Sequence, residues 1–318
     1  MNSRNHEGSP GAEARVSDQV KTASTRPNAE DLPEQSNGAV SPLVLIRKMY
    51  LGCAKIPVFG SVLRKVVRKF LPPNKRSWTC IPSGPAKGLW LFVDLRFEPH
   101  LMDGRYETPA QEVLTTWLRP GDCFYDVGAH IGFFSLLAAR LVGERGTVIA
   151  FEPDPNNASI LRTTAIKNKM PQIRVVEAAA WSSSGPLEFQ RADPASSGVD
   201  GQVGPIANLN RDRIRVSGVA LDDYVLQHES SPPNFLKIDV EAAEVGALQG
   251  AAELFKTFRP SLLCEVHNVP NKARIEAWLQ ERLYSLEWLG PQDSLPIQLL
   301  ALPRPVSDKV DSNARSLT

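Results

Sequence analysis

Four short stretches of this 318-residue chain carry side chains whose types and spacing suit a chemical site. The first is Asp126-Val127-Gly128-Ala129-His130-Ile131-Gly132, two glycines four apart that follow one apolar run and precede another. Glycine at such positions lets the backbone approach a ligand closely and aims helix-terminal N–H groups at it. The spacing is neither the GxGxxG of dinucleotide-binding folds nor the GxxxxGK[ST] of a phosphate loop, which disfavours a pyrophosphate or triphosphate ligand. The second is Glu152, in Phe151-Glu152-Pro153-Asp154, twenty residues past Gly132. A carboxylate at the end of the second strand of a βαβ unit accepts hydrogen bonds from both ribose hydroxyls, so loop and acid together point to a nucleoside-type ligand.

The third stretch is Lys237-Ile238-Asp239-Val240-Glu241-Ala242-Ala243-Glu244. Asp239 interrupts an apolar run, and a carboxylate there is costly to bury unless something pairs with it, as a cationic ligand would. The fourth, Glu265-Val266-His267, brings another carboxylate and an imidazole to the same rim. Asp239, Glu241 and His267 are the candidate catalytic groups. Such a set serves as a general base or as a metal site, and its plainer alternative is a hydrogen-bonded structural network. No metal is assigned to it.

The elements that must hold these residues read as alternating strands and helices. Strands are expected at Phe124–Val127, Thr147–Phe151, Ile173–Glu177, Phe235–Val240 and Ser261–Val266. Helices are expected at Phe133–Leu141, Asn156–Lys169, Glu244–Phe258 and Lys272–Glu281. Five strands alternating with helices indicate an α/β fold with a parallel sheet covered on both faces. Leu286–Trp288 and Ile297–Leu300, with no helix between them, read as a terminal hairpin. Ligands of such sheets bind beyond the carboxyl ends of the strands, where all four stretches lie. Residues 191–218, rich in Gly, Pro, Ser and Asn, form an irregular insertion between the third and fourth strands.

Composition bounds the rest. A formal charge of +1 and 42% apolar residues describe a globular chain without the cationic excess of a nucleic-acid binder. That average conceals a division: 41–76 holds nine Lys or Arg and no acid, leaving the remainder at minus eight. Within it, Ser61 and Pro72 bracket a helix over 61–71. This helix sets Val62, Leu63, Val66, Val67 and Phe70 against Arg64, Lys65, Arg68 and Lys69. It reads as a cap on the main domain or as a contact with an anionic membrane face. The expected organisation is a disordered tail over 1–40, the basic segment over 41–76, a catalytic domain over 77–303 and a flexible tail over 304–318. With no long uncharged apolar run and no hydrophobic stretch at the N-terminus, a cytoplasmic protein is expected, peripheral at the inner membrane face if the helix docks there. Cys53, Cys80, Cys123 and Cys264 lack CxxC spacing and read as reduced thiols.

Taken together, DVGAHIGFFSLLAA, AFEPDP, LKIDVEAAEVGALQG and LLCEVH resemble the FkbM family of S-adenosylmethionine-dependent methyltransferases, over roughly Gly104 to His267. The resemblance implies a doubly wound, mostly parallel seven-stranded class I methyltransferase sheet with a C-terminal antiparallel hairpin. It also implies S-adenosylmethionine as cofactor. Asp126, Gly128, His130 and Gly132 would then line the methionine end, Glu152 would hold the ribose, and Ala179 in the Ala178–Ala180 turn would border the adenine. Asp239 would face the sulfonium, and Tyr106-Glu107 looks like the family's upstream YE element, which closes over the cofactor. Two positions depart from the family pattern: His130 stands where Asn is usual, and Ala242 where Gly is usual. Ala242 would be strained if its backbone needs a positive φ. The function implied is O-methylation of a hydroxyl on a sugar, glycan or secondary metabolite, with O- against N-transfer and oligomeric state left open. The rivals are a nicotinamide-dependent oxidoreductase on a Rossmann sheet and a non-catalytic cofactor-binding or membrane-adaptor protein.

Overall fold

The computed structural model describes residues 76–191, 202–203, 213–227, 230–291 and 294–305. The 1–40 tail, the basic helix over 61–71 and the last thirteen residues lie outside them. Arg76, the last residue of the basic segment, opens β1 (Arg76–Cys80), which pairs antiparallel with β2 (Trp90–Asp94). A 3-10 turn (Pro99–Met102) and α1 (Thr108–Trp117) lead into the alternating core.

That core runs β3 (Cys123–Val127), α2 (Phe133–Val142), β4 (Thr147–Phe151), α3 (Pro155–Lys167) and β5 (Ile173–Val176). It then continues through β6 (Ala179–Ala180), β7 (Gly185–Gln190), β8 (Gln202–Val203), β9 (Arg213–Val219) and α4 (Leu221–Gln227). The second half comprises β10 (Phe235–Ile238), α5 (Glu244–Gln249), α6 (Ala252–Thr257), β11 (Ser261–Val266), α7 (Val269–Glu281), β12 (Tyr284–Leu289) and β13 (Ile297–Pro303).

Seven strands form the central sheet in the order β12-β13-β11-β10-β3-β4-β5. The five expected strands are mutually parallel, and β13 runs antiparallel to both β11 and β12. This is the Rossmann-like class I arrangement that the resemblance implies. Every residue of β3 and β10 is buried, which requires cover on both faces. Phe124 and Tyr125 accordingly point into separate cores, the first against α1 and α2, the second against α4 to α7. The chain order reverses between β3 and β10, so the switch point opens beside the carboxyl ends of these two strands. Helices begin abruptly there: Asp154 caps α3 through the N–H of Asn156, and Asn268 caps α7 through the N–H of Asn271, both at 2.8 Å. Each such cap contributes about 1 kcal/mol.

Two expectations are corrected. The helix read over Glu244–Phe258 is two helices, because Gly250 packs on the main chain of Trp181, where a Cβ would lie 1.9 Å from the carbonyl oxygen. The insertion read as irregular over 191–218 contains most of β9, which pairs with β7 along Gly185–Gln190 in a small second sheet. Its apolar residues Ile214 and Val216 alternate with Arg213, Arg215 and Ser217, a half-buried strand pattern that the surrounding polar residues obscured. Among the described residues no helix is long and apolar enough to cross a membrane.

Candidate functional site

The loop between β3 and α2 is made by its backbone. Gly128, His130 and Gly132 all take left-handed conformations, with φ of 84°, 50° and 92°. At Gly128 a Cβ would lie 1.8 Å from the carbonyl oxygen of Asp239, so the β3 loop and the β10 loop touch main chain to main chain. Only glycine permits both the angle and the approach. The loop is fastened to β4: Gly128 and Ala129 donate their N–H groups to the Phe151 carbonyl at 3.0 Å. His130 donates its N–H to Glu152 Oε2 at 2.8 Å. The other Glu152 oxygen accepts the N–H of Asp154 at 2.9 Å, which fixes the buried carboxylate at the strand end.

A cleft opens over this loop, enclosing about 510 Å³ with its solvent-facing mouth. Gly128, His130 and Glu152 form one part of its wall, Ala178, Ala179 and Ala180 a second, and Asp239 and Glu241 a third. Asp126 and Gly132 stand behind it. Asp126 is 1% exposed; its Oδ2 accepts the Ser135 hydroxyl at 2.6 Å, while its Oδ1 is buried without a hydrogen-bond partner among the described residues. Burial pushes the Asp126 carboxyl up, against the opposing pull of Lys237.

Beyond Asp239 the site is made by side chains. Parallel pairing sets Lys237 beside Asp126, and its ammonium reaches Asp239 Oδ2 at 2.8 Å and lies 4.6 Å from the centre of the Phe134 ring. Burial opposes the Lys237 charge, but Asp239, Glu107 and Asp126 outweigh it and hold the ammonium protonated. Burial likewise disfavours the Asp239 charge, and Lys237 and His267 reverse that, holding its carboxyl below the usual range.

His267, at the end of β11, donates Nδ1–H to Glu244 Oε1 at 2.7 Å. Its Nε2 faces Glu241 Oε2 and Glu265 Oε1, each at 3.6 Å, and Asp239 Oδ1 at 3.8 Å. Burial alone would lower its pKa, yet the Glu244 hydrogen bond and the charges of Glu241 and Asp239 raise it from 6.5 to about 9. Asp239, Glu265 and His267 each place one ligand-type atom within 4.8 Å of the others, a spacing that also accommodates a cation. Glu107, expected over the cofactor, sits at this acidic end. Its Oε2 accepts from Gln298 Nε2 at 2.8 Å, and the same amide nitrogen lies 3.2 Å from Glu265 Oε2. Burial, only partly offset by Lys237, pushes the Glu107 carboxyl up to about 8.

The structure therefore brings Gly128, His130, Glu152, Ala179, Asp239 and Glu241 to one cleft. It gathers Glu107 and His267 with the acids at one end. Lys237, Gln298 and Asn271 were missed. Lys237 carried a signal, a second charge inside an apolar strand; Gln298 and Asn271 carried none, since only the fold brings β13 and α7 to this rim. The departure at Ala242 is answered as well: its φ is 73°, next to Glu241 at 43°, so both residues hold the left-handed region that favours glycine.

The family described as the methyltransferase FkbM domain matches residues 126–286. The chain is 29% identical over 178 residues to the 31-O-demethyl-FK506 methyltransferase FkbM of Streptomyces tacrolimicus, covering 48% of this chain and 68% of that one. It is 24% identical over 200 residues to the hexuronic acid methyltransferase AglP of Haloferax volcanii, covering 63% and 74%. Among solved structures, the methyltransferase FkbM of Methylobacillus flagellatus aligns with a TM-score of 0.43 at 17% identity, covering 62% of this chain and 52% of that one. The chain thus spans about half the length of that structure. With the family match extending from Asp126 in the glycine loop through Glu152, Asp239 and His267 into β12, the chain belongs to the methyltransferase FkbM domain family.

Proposed function

We propose that the protein is an S-adenosylmethionine-dependent methyltransferase that methylates a hydroxyl of a sugar, glycan or secondary metabolite. The observation that carries this reading is the single cleft whose wall passes from the glycine loop and Glu152 to Asp239 and Glu241. Its residues fit the cofactor. Gly128 leaves no room for a side chain between the loop and Asp239, Glu152 presents a fixed carboxylate to a ribose, and Ala178–Ala180 offer a small apolar wall to a base. Asp239 and Glu241 suit the positive charge at the other end. When bound, the cofactor supplies an electrophilic methyl group. The names of the two relatives specify 31-O-demethyl-FK506 and a hexuronic acid, which supports a small-molecule or sugar acceptor.

The chain has to align a hydroxyl in line with that methyl group, exclude water and take one proton. His267 is suited to the last task. A carboxylate only accepts, so the bond to Glu244 places a proton on Nδ1 and leaves Nε2 as the basic atom. Asp239, Glu241 and Glu265 around Nε2 stabilise the imidazolium formed as the acceptor oxygen attacks. Incubation of the purified protein with S-adenosylmethionine and a panel of hydroxyl acceptors tests the proposal. It expects S-adenosylhomocysteine and a methylated product from a hydroxylated member; release of neither from any acceptor would overturn it.

A further inference from the structure

We propose that Glu244 is the positioning residue of this site: its buried carboxylate, held by Ala242 and Asn271, fixes the His267 ring so that Nε2 alone faces the acceptor. Glu244 is wholly buried, and three groups converge on it. Oε1 accepts the backbone N–H of Ala242 at 2.8 Å and Nδ1–H of His267 at 2.7 Å. Oε2 accepts Nδ2–H of Asn271 at 2.5 Å. Asn271 also donates to the Ala242 carbonyl at 2.9 Å, so one amide closes a ring of bonds through the β10 loop, α5 and α7. His267 belongs to none of these elements; it arrives from β11 and meets Glu244 through Nδ1.

The arrangement does two things. It holds the ring in one of its two flips, because the flipped ring would present Cδ2 to the carboxylate and lose the bond. It also selects the tautomer, since an acceptor-only partner requires the proton on Nδ1. Nε2 is left among Asp239 and Glu241 from the β10 loop and Glu265 from β11 itself, at 3.6–3.8 Å. Behind these stand Lys237 on Asp239 and Gln298, which joins Glu265 to Glu107. The site therefore contains a carboxylate–imidazole pair in which Glu244 acts through His267 and does not touch the acceptor. The role of His267 as the proton acceptor rests on the methyl-transfer reading; its orientation by Glu244 does not.

The experiment is ¹⁵N NMR of the imidazole of the full-length protein, assigned with His267→Gln, alongside steady-state kinetics of Glu244→Gln. In the wild type above pH 9 the ring should be neutral with its proton on Nδ1. In Glu244→Gln, which keeps the shape and loses the charge, the His267 midpoint should fall by about one pH unit or more. Its kcat should fall by about tenfold or more with KM within about twofold, and Glu244→Asp should recover part of the midpoint shift. Should Glu244→Gln fail to fold, the wild-type tautomer and the milder Asn271→Ser carry the test. A neutral ring protonated on Nε2, or a midpoint unmoved by Glu244→Gln, would overturn the proposal. The stated tautomer and midpoint shift in a protein that methylates nothing would uphold the orientation and count against the methyl-transfer reading alone.

Discussion

The two ends of the cleft are built from different materials. At the glycine loop the ligand would meet backbone: three left-handed residues in five, main-chain contact between Gly128 and Asp239, and one carboxylate, Glu152, pinned by two N–H groups. At the other end it would meet the side chains of Asp239 and Glu241, next to which Glu265, Glu107 and His267 are held by one another and by Glu244, Lys237 and Gln298. A backbone site fixes shape and tolerates little change in residue size. A side-chain site fixes charge and can be retuned one residue at a time. On the proposed reading the first end suits an invariant cofactor, and the second, past the Asp239 and Glu241 that face the cofactor's charge, suits the acceptor.

The largest effect is expected at Gly128. Gly128→Val adds a Cβ 1.8 Å from the Asp239 oxygen at a φ of 84°. It should abolish cofactor binding in calorimetry and lower stability by about 2–3 kcal/mol in urea titration. Retained binding would show that the two loops can part. At the other end, His267→Gln should lower kcat by about 100-fold and flatten a rate that in the wild type climbs with pH toward about 9, the pKa of His267. An unchanged pH–rate profile would move the base to another group.

A smaller effect concerns stability. His267 is raised from 6.5 to about 9 in the fold, so its contribution is fully present below pH 6.5 and is lost as pH rises through about 9. Glu107, raised from 4.5 to about 8, keeps its proton longer in the folded chain and acts in the same direction between those values. Urea midpoints should fall from pH 6.5 to 9, and fall less steeply in His267→Gln; a flat profile would mean that the acids around the ring do not favour its charge. The smallest change expected is at Ala242. Ala242→Gly should stabilise the protein by about 1 kcal/mol by relieving a φ of 73°, and a loss of stability would deny that strain.

The backbone end was readable in the sequence because its parts are local. The glycine spacing, the strand-end Glu152 and the strands that carry them occupy some thirty consecutive residues, and periodicity marks each strand. The side-chain end was only half readable. Asp239, Glu241 and His267 stood out as polar groups at strand ends, but Glu107 joins them from ahead of α1 and Gln298 from β13, 191 residues apart. Only the sheet order makes those two neighbours. Glu244 was visible as an acid, yet its task depends on Asn271 from α7, which no spacing rule could supply. The β1–β2 hairpin escaped for another reason: Arg76 read as the end of a basic segment, and the pairing of Arg76 and Trp78 with Asp94 and Phe92 is set by tertiary contact.

The division of labour between the two ends is tested most directly by calorimetric titration of S-adenosylmethionine into Glu152→Gln and His267→Gln beside the wild type. On the proposed reading Glu152 would accept hydrogen bonds from the ribose, so its variant should bind about 10–100-fold more weakly, and His267→Gln should bind within about threefold of wild type. Equal weakening by both variants, or full affinity in Glu152→Gln, would contradict the account.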